Sequence, residues 1–120
     1  MNKVAFLLFT FFVLVSCSNS DQYEKMKGSW VCASWINQSD GSDMCNDNVH
    51  FSFMLDKTYS SQFNATKEAG TYYLVGNVLY VTPKGKTEFG VEIQRLDTDT
   101  MTILMNRSGS AETLTLVKNK

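Results

Sequence analysis

Residues 70–83 read GTYYLVGNVLYVTP, and this stretch decides the fold class. Gly76 and Asn77 can supply the positive φ angles of a two-residue turn. The segments on either side of that turn are rich in Tyr, Leu and Val, which favour strands. Pro83 has no N–H to donate to a sheet and ends the second segment. The stretch therefore predicts a β-hairpin.

Strand patterns continue on both sides of the hairpin. In VHFSFML, residues 49–55, the side chains alternate, and those of one face are Val49, Phe51, Phe53 and Leu55. In TEFGVEIQRL, residues 87–96, Phe89, Val91 and Ile93 oppose Glu88, Glu92 and Gln94. About eight short strands follow one another at spacings near ten residues, which is typical of an antiparallel meander.

A meander leaves two exposed edges unless it closes, and small domains commonly close it into a barrel. Only residues 21–27, DQYEKMK, have the pattern of a helix, and they make about two turns. The sequence therefore predicts an all-β fold, an antiparallel up-and-down barrel of about eight strands with a short N-terminal helix.

The N-terminus has the pattern of a secretory signal. Lys3 precedes an apolar run from Val4 to Val15. A helix over that run would be too short for a hydrocarbon core of about 30 Å. A basic start followed by a short apolar segment is typical of an export signal.

The LVSC motif, Leu14 to Cys17, ends the apolar run and resembles the lipobox of bacterial lipoproteins. The resemblance implies that a diacylglycerol is attached to the Cys17 sulfur and that the signal is cleaved just before it. Two or more acyl chains anchor a protein stably to a membrane. The alternative is an ordinary signal cleaved elsewhere, with Cys17 incidental.

This interpretation divides the chain into a signal peptide over residues 1–16, a tether over 17–21 and one domain over 22–120. By analogy with the sorting rule of such lipoproteins, Ser18 favours the outer membrane over the inner. The domain then faces either the periplasm or the outside.

The two cysteines that remain, Cys32 and Cys45, form an even pair in an oxidising compartment. A disulfide between them, worth roughly 3 kcal/mol, is favoured over two reduced structural cysteines. With His50 as the single histidine they make a poor ligand set for a metal. We expect no metal site and no cofactor.

The charge of the mature chain argues against nucleic acid as a partner. Without Lys3, residues 17–120 carry ten basic and twelve acidic side chains, a net charge of −2. No basic cluster is present, and phosphate backbones are bound by clustered Lys and Arg.

The order of motifs resembles the small lipocalin-like domains of bacterial lipoproteins. A short helix leads into GSW at 28–30, and a phenylalanine-rich strand, GTYYLVGNVLYV, VEIQRL and ETLTLVK follow. The resemblance spans residues 22–118. It implies that Trp30 closes the base of the barrel and that Gly70 and Tyr72 belong to the central hairpin.

A small eight-stranded barrel either holds one small ligand or is filled by its own side chains. The resemblance predicts a non-catalytic protein that binds a small apolar or amphipathic ligand, or a partner protein of the envelope. Candidate lining residues, which could equally be plain core, are Phe51, Phe53, Tyr73, Tyr80, Met101 and Met105.

A second resemblance, to periplasmic lysozyme inhibitors, implies another function. That family carries an S-G-x-x-Y motif followed by a K-G turn. Here AGTYY places Gly70 and Tyr73 at the matching spacing, and Lys84-Gly85 follows. Ala69 stands where the family has its serine. The alternative function is inhibition of a wall-degrading enzyme.

Catalysis is the weakest hypothesis, because no nucleophile, zinc or phosphate-loop motif is present. His50 lies on the polar face of a predicted strand and is interpreted as structural. Glu88 and Glu92 share one face of another strand, and a solvated outer face explains that pair.

The loop over residues 39–48, SDGSDMCNDN, crowds the oxygen ligands of Asp40, Asp43, Asp47, Asn46 and Asn48. Such oxygens can bind Ca²⁺, but a solvated loop is the favoured interpretation. Trp35 has the opposite parity to Trp30 and is predicted to point outward beside this loop. It is then either a recognition surface or a side chain that the loop covers.

Overall fold

The computed structural model describes residues 20–107 and 109–119. Helix α1 spans residues 20–26, one residue earlier than predicted. The eight strands that follow are β1 (Gly28–Asn37), β2 (Val49–Phe53), β3 (Thr58–Phe63), β4 (Thr66–Val75), β5 (Val78–Pro83), β6 (Phe89–Leu96), β7 (Thr100–Arg107) and β8 (Ser110–Lys118).

Each strand pairs antiparallel with its neighbours in the chain, and β8 returns to pair with β1. The result is a closed up-and-down barrel, which confirms the predicted fold class. Closure gives every strand two partners, so that no sheet edge is left exposed.

The hairpin over residues 70–83 forms as predicted, by β4 and β5. Val75 pairs with Val78 across the turn, where Gly76 has a φ of 59°, whereas Asn77 does not have the positive φ that was expected of it. At the other end Gly70 lies opposite Pro83, where a Cβ would collide with the Thr82 carbonyl oxygen. The absence of a side chain at Gly70 therefore allows β4 and β5 to approach closely.

The core follows the alternation of the strands. Every second residue of β5 and of β8 is buried, and these residues point into the barrel. The largest fully buried side chains are Trp30, Tyr72, Phe53, Met26, Leu79, Met101, Leu114, Leu116 and Val49.

Helix α1 covers one end of the barrel, which we term the closed end. Trp30 is 0% exposed, and its Nε1 donates a hydrogen bond to the Met26 carbonyl oxygen at 2.8 Å. The Lys118 ammonium lies 4.5 Å from the centroid of the Trp30 ring. The Leu74 N–H donates to the Tyr23 hydroxyl at 2.9 Å, which fixes the helix to β4. Trp30 therefore sits at the base of the barrel.

Trp35 points into the barrel, and the prediction that it points outward is wrong. A β-bulge between Cys32 and Ser34 adds one residue to β1 relative to β8. Such a bulge reverses the parity of the residues that follow it. Trp35 consequently pairs with the buried Leu114 and is only 4% exposed.

The prediction that Leu55 belongs to the strand that begins at Val49 is also wrong. Strand β2 ends at Phe53, and Met54 and Leu55 lie exposed in the turn that leads to β3. The Asp56 carboxylate accepts hydrogen bonds from the N–H and hydroxyl of Thr58, which fix this turn.

Candidate functional site

We term the end of the barrel opposite α1 the mouth. A cavity opens there. Its volume is about 520 Å³. A smaller cavity of about 80 Å³ continues from it into the barrel. The residues that line both are Phe63, Glu68, Phe89, Val91 and Met105.

Aromatic side chains at inward positions form much of the cavity wall. Phe63 lies edge-on to Phe51 and to Trp35, with ring centroids 5.2 Å apart in both pairs. Phe89, at the start of β6, is 48% exposed although it lines both cavities. The mouth therefore presents a large apolar side chain to solvent.

Polar side chains interrupt this apolar wall. Thr66 of β4 and Asn106 of β7 line the larger cavity, and three others come from β3 and β4. Tyr59 and Ser61 are buried, and both line the smaller cavity. The Glu68 carboxylate reaches the rim, where Lys86 Nζ lies 3.1 Å from it. The cavity is thus amphipathic, because Tyr59, Ser61 and Glu68 place polar groups on the β3–β4 side of a mainly apolar space.

The Tyr59 hydroxyl has no hydrogen-bond partner among the described residues. The residue is 5% exposed. Burial, with the negative charge of Glu68, raises the pKa of Tyr59 to about 12. The hydroxyl therefore keeps its proton at neutral pH and is available as a donor.

Glu112 carries a buried carboxylate that the sequence patterns did not single out, and it is only 5% exposed. It occupies an inward position of β8 and accepts a hydrogen bond from Trp35 Nε1 at 3.0 Å. The alternation of SAETLTLVK, in which Glu112 shares a face with Leu114 and Leu116, is the signal that could have revealed it.

The candidate lining residues fall into separate groups. Phe51 and Met105 line the cavity. Phe53 also contributes to its wall, but it is 2% exposed and packs in the core together with the fully buried Met101. Four further lining residues could not be identified from the sequence, because their convergence depends on strand register and barrel closure: Tyr59, Phe63, Glu68 and Phe89.

Tyr73 and Tyr80 lie on the outer face of the barrel, not in its interior. Tyr72 and Leu74 take the inward positions of β4, which turns Tyr73 outward. The rings of Tyr73 and Tyr80 stack there with centroids 5.0 Å apart. The structure therefore removes this pair from the residues that line the interior.

The disulfide between Cys32 and Cys45 is present. It joins β1 to the acidic loop, residues 39–48, in which carboxylates accept hydrogen bonds. Asp43 accepts from the N–H groups of Trp35 and Cys45, both at 3.0 Å, which lowers the pKa of Asp43. Across residues 20–107 and 109–119, no group of three or more His, Cys, Asp or Glu side chains could bind a metal ion.

The residues considered for acid–base chemistry are spread over the barrel. His50 lies in β2 and is half-buried, whereas Glu92 is exposed in β6, which is not a neighbour of β2. Glu88 precedes the start of β6. The structure does not bring His50 and Glu92 onto adjacent strands.

Residues 26–103 match the family model described as a lipocalin-like domain. The chain belongs to the family of lipocalin-like domains. The closed eight-stranded barrel, with Trp30 at its base and an open mouth, agrees with this family. No curated protein matches the chain.

Two solved structures share the lipocalin-like fold. One is a lipocalin-like protein from Bacteroides uniformis, which is 14% identical with a TM-score of 0.64 over 79% of this chain and 99% of that one. The other is an uncharacterized protein from Bacteroides eggerthii, 13% identical with a TM-score of 0.63 over 78% of this chain and 99% of that one. At these identities the likeness shows the fold alone.

Among the described helical residues, none forms a segment of sufficient length and apolarity to span a bilayer.

Proposed function

We propose that this lipocalin-like protein is a lipid-anchored lipoprotein of the cell envelope that takes a small apolar or amphipathic ligand into the mouth of its barrel. The observation that carries the proposal is the 520 Å³ cavity, lined mainly by apolar side chains and continuous with the interior. The protein acts by binding and not by catalysis.

The size and lining of the cavity support a small ligand. Small-molecule sites are typically clefts of about 300–1,000 Å³ with mostly apolar walls and a few placed polar groups. Burying apolar surface is favourable by about 25 cal/mol per Å². A ligand that covers Phe89 and Met105 removes such surface from water. A partner protein that inserts an apolar side chain is the other occupant that the mouth admits.

The Phe89→Ala variant tests whether ligands enter through the mouth. We expect its affinity for an uncharged apolar fluorescent probe, such as N-phenyl-1-naphthylamine, to fall about tenfold, because part of the ring contact is lost. The matched control is Tyr73→Ala, which removes an exposed aromatic ring from the outer face. Equal loss of probe affinity in both variants would place the binding surface outside the mouth.

The position of α1 supports the proposed anchor. The helix begins at residue 20, three residues after Cys17. Three extended residues span at most about 10 Å. A lipid on Cys17 would therefore hold the closed end close to the bilayer and leave the mouth directed away from it.

Mass spectrometry of the N-terminal peptide, isolated from membranes of the host, tests this anchor. We expect the peptide to begin at Cys17 and to carry a diacylglycerol on the sulfur. We also expect outer-membrane fractions to contain most of it, as Ser18 suggests. A mature N-terminus elsewhere, or an unmodified Cys17, would contradict the proposal.

The second candidate function is inhibition of a wall-degrading enzyme. The observation that favours it is an outer groove of about 550 Å³, lined among others by Ala69, Gly70, Lys84 and Gly85. The Lys84 N–H donates to the Ala69 carbonyl oxygen at 2.9 Å, which holds the two motifs together. Stoichiometric inhibition of lysozyme by the purified protein would support this candidate, and unchanged lysozyme turnover would exclude it for that enzyme.

A further inference from the structure

Three polar groups of the cavity, those of Tyr59, Ser61 and Glu68, come from two paired strands. Ser61 of β3 pairs with Glu68 of β4, and Tyr59 pairs with Gly70. Tyr59 and Glu68 are therefore diagonal neighbours on the inner face. Diagonal pairs in a sheet are about 7–8 Å apart, within reach of aromatic and long side chains. Gly70 adds no side chain between them.

The Tyr59 hydroxyl provides a donor that the described protein groups do not use. A buried hydroxyl without a partner is unfavourable, and nearly all such groups in native proteins are satisfied by protein, water or ligand. Its ring packs against Phe53 and lines the smaller cavity. The Tyr59 side chain thus lies at the inner end of the path from the mouth, and its hydroxyl, which has less than 1 Å² of accessible surface, is reached only by a ligand that displaces the side chains around it.

Tyr59 and Glu68 together restrict which polar group the ligand can carry. Tyr59 can donate a hydrogen bond, and the ionised Glu68 carboxylate can only accept. A hydroxyl satisfies both, since its oxygen accepts from Tyr59 while its own O–H donates to Glu68. An ammonium has no lone pair for the Tyr59 proton. A carboxylate would place a second negative charge beside Glu68.

We propose that the ligand is an amphipathic alcohol, whose hydroxyl lies between Tyr59 and Glu68 and whose hydrocarbon part lies along Phe63, Phe89 and Met105 toward the mouth. The inference rests on the proposed function, since it assigns the ligand class of the same cavity. The hydroxyl enters first, because Tyr59 lines only the deeper of the two connected cavities.

Lys86 offers the strongest competing interpretation. Its ammonium lies 3.1 Å from the Glu68 carboxylate, and its side chain is mostly exposed. If Lys86 turned toward the cavity, it would pair with a carboxylate ligand instead. The other competing interpretation is that a water molecule is bound to Tyr59. In that case, the affinity of the cavity for a ligand would not depend on the ligand's polar end.

The test compares 1-decanol, decanoate and decylamine, which share one chain length and differ in the polar end. Each is titrated into the full chain in nanodiscs, with empty nanodiscs as the partition blank. The readout is tryptophan fluorescence, because the Trp35 ring contacts Phe63 of the cavity wall. We expect decanol to bind at least about tenfold more tightly than decanoate or decylamine.

Two nearly isosteric variants assign the preference to the two side chains. Tyr59→Phe removes only the hydroxyl and should weaken decanol about tenfold. Glu68→Gln keeps an acceptor oxygen but removes the charge, so decanoate should bind about tenfold more tightly while decanol changes little. Far-ultraviolet circular dichroism of both variants should match the parent.

The outcomes separate this inference from the proposed function. If decanoate or decylamine binds as tightly as decanol, or if Tyr59→Phe leaves decanol affinity unchanged, the ligand class is wrong although the cavity still binds. If none of the three molecules binds the parent chain, the proposed ligand-binding function fails together with the inference.

Discussion

The Trp30→Ala variant is expected to unfold with a free energy about 3–5 kcal/mol below that of the parent. Trp30 is among the largest fully buried side chains and joins the barrel to the helix that covers it. Alanine would leave a cavity at the closed end and remove the donor to the Met26 carbonyl oxygen. The Lys118 ammonium would also lose the ring that it faces.

Urea unfolding, followed by circular dichroism, measures this loss. The matched control is Phe89→Ala, which removes an aromatic side chain from the opposite, solvent-exposed end. We expect the control to lose less than half as much stability as Trp30→Ala. If the two variants lose the same amount, Trp30 does not hold the base of the barrel.

Removal of the Cys32–Cys45 disulfide is expected to lower the free energy of unfolding by about 3 kcal/mol. The bridge closes a loop with a sequence separation of 13, and a loop near that length gives about this value in the chain-entropy model. The loss should act mainly through the unfolded state. The native loop retains the hydrogen bond that the Trp35 N–H donates to the Asp43 carboxylate and the one that the Met44 N–H donates to the Trp35 carbonyl oxygen.

The measurement compares the Cys32→Ala, Cys45→Ala double variant with the parent, each with and without a thiol-free reductant. Reductant should bring the parent close to the double variant and leave the double variant unchanged. If full reduction leaves the unfolding midpoint of the parent unchanged, the bridge contributes nothing to stability.

The barrel could be predicted because its strands alternate and its turns carry specific residues. The hairpin of β4 and β5 follows from Gly76-Asn77 between two segments of high strand propensity. Successive strands separated by short turns leave antiparallel pairing of neighbours as the simplest arrangement. The short helix was visible because residues 21–27 lack that alternation.

The orientation of individual side chains was harder to predict. In β4, Tyr72 and Leu74 alternate with Tyr73 and Val75, and both sets are apolar. Alternation alone therefore gives no preference for one face. The structure turns Tyr73 outward, where it stacks on Tyr80.

The predicted orientation of Trp35 was wrong for a different reason. A single bulged residue after Cys32 reverses parity, and nothing in VCASW marks that insertion. The cavity could not be predicted from the sequence either. Tyr59, Glu68 and Phe89 come together only through the register of β3 with β4 and through closure of the barrel.

Native mass spectrometry shows whether the mouth of the barrel holds a small apolar or amphipathic molecule. The sample is the full protein isolated from the envelope of its host under non-denaturing conditions. We expect a native mass that exceeds the denatured mass by one small molecule, which is released on denaturation. Equal native and denatured masses, with no adduct after incubation with 1-decanol or decanoate, would contradict this expectation.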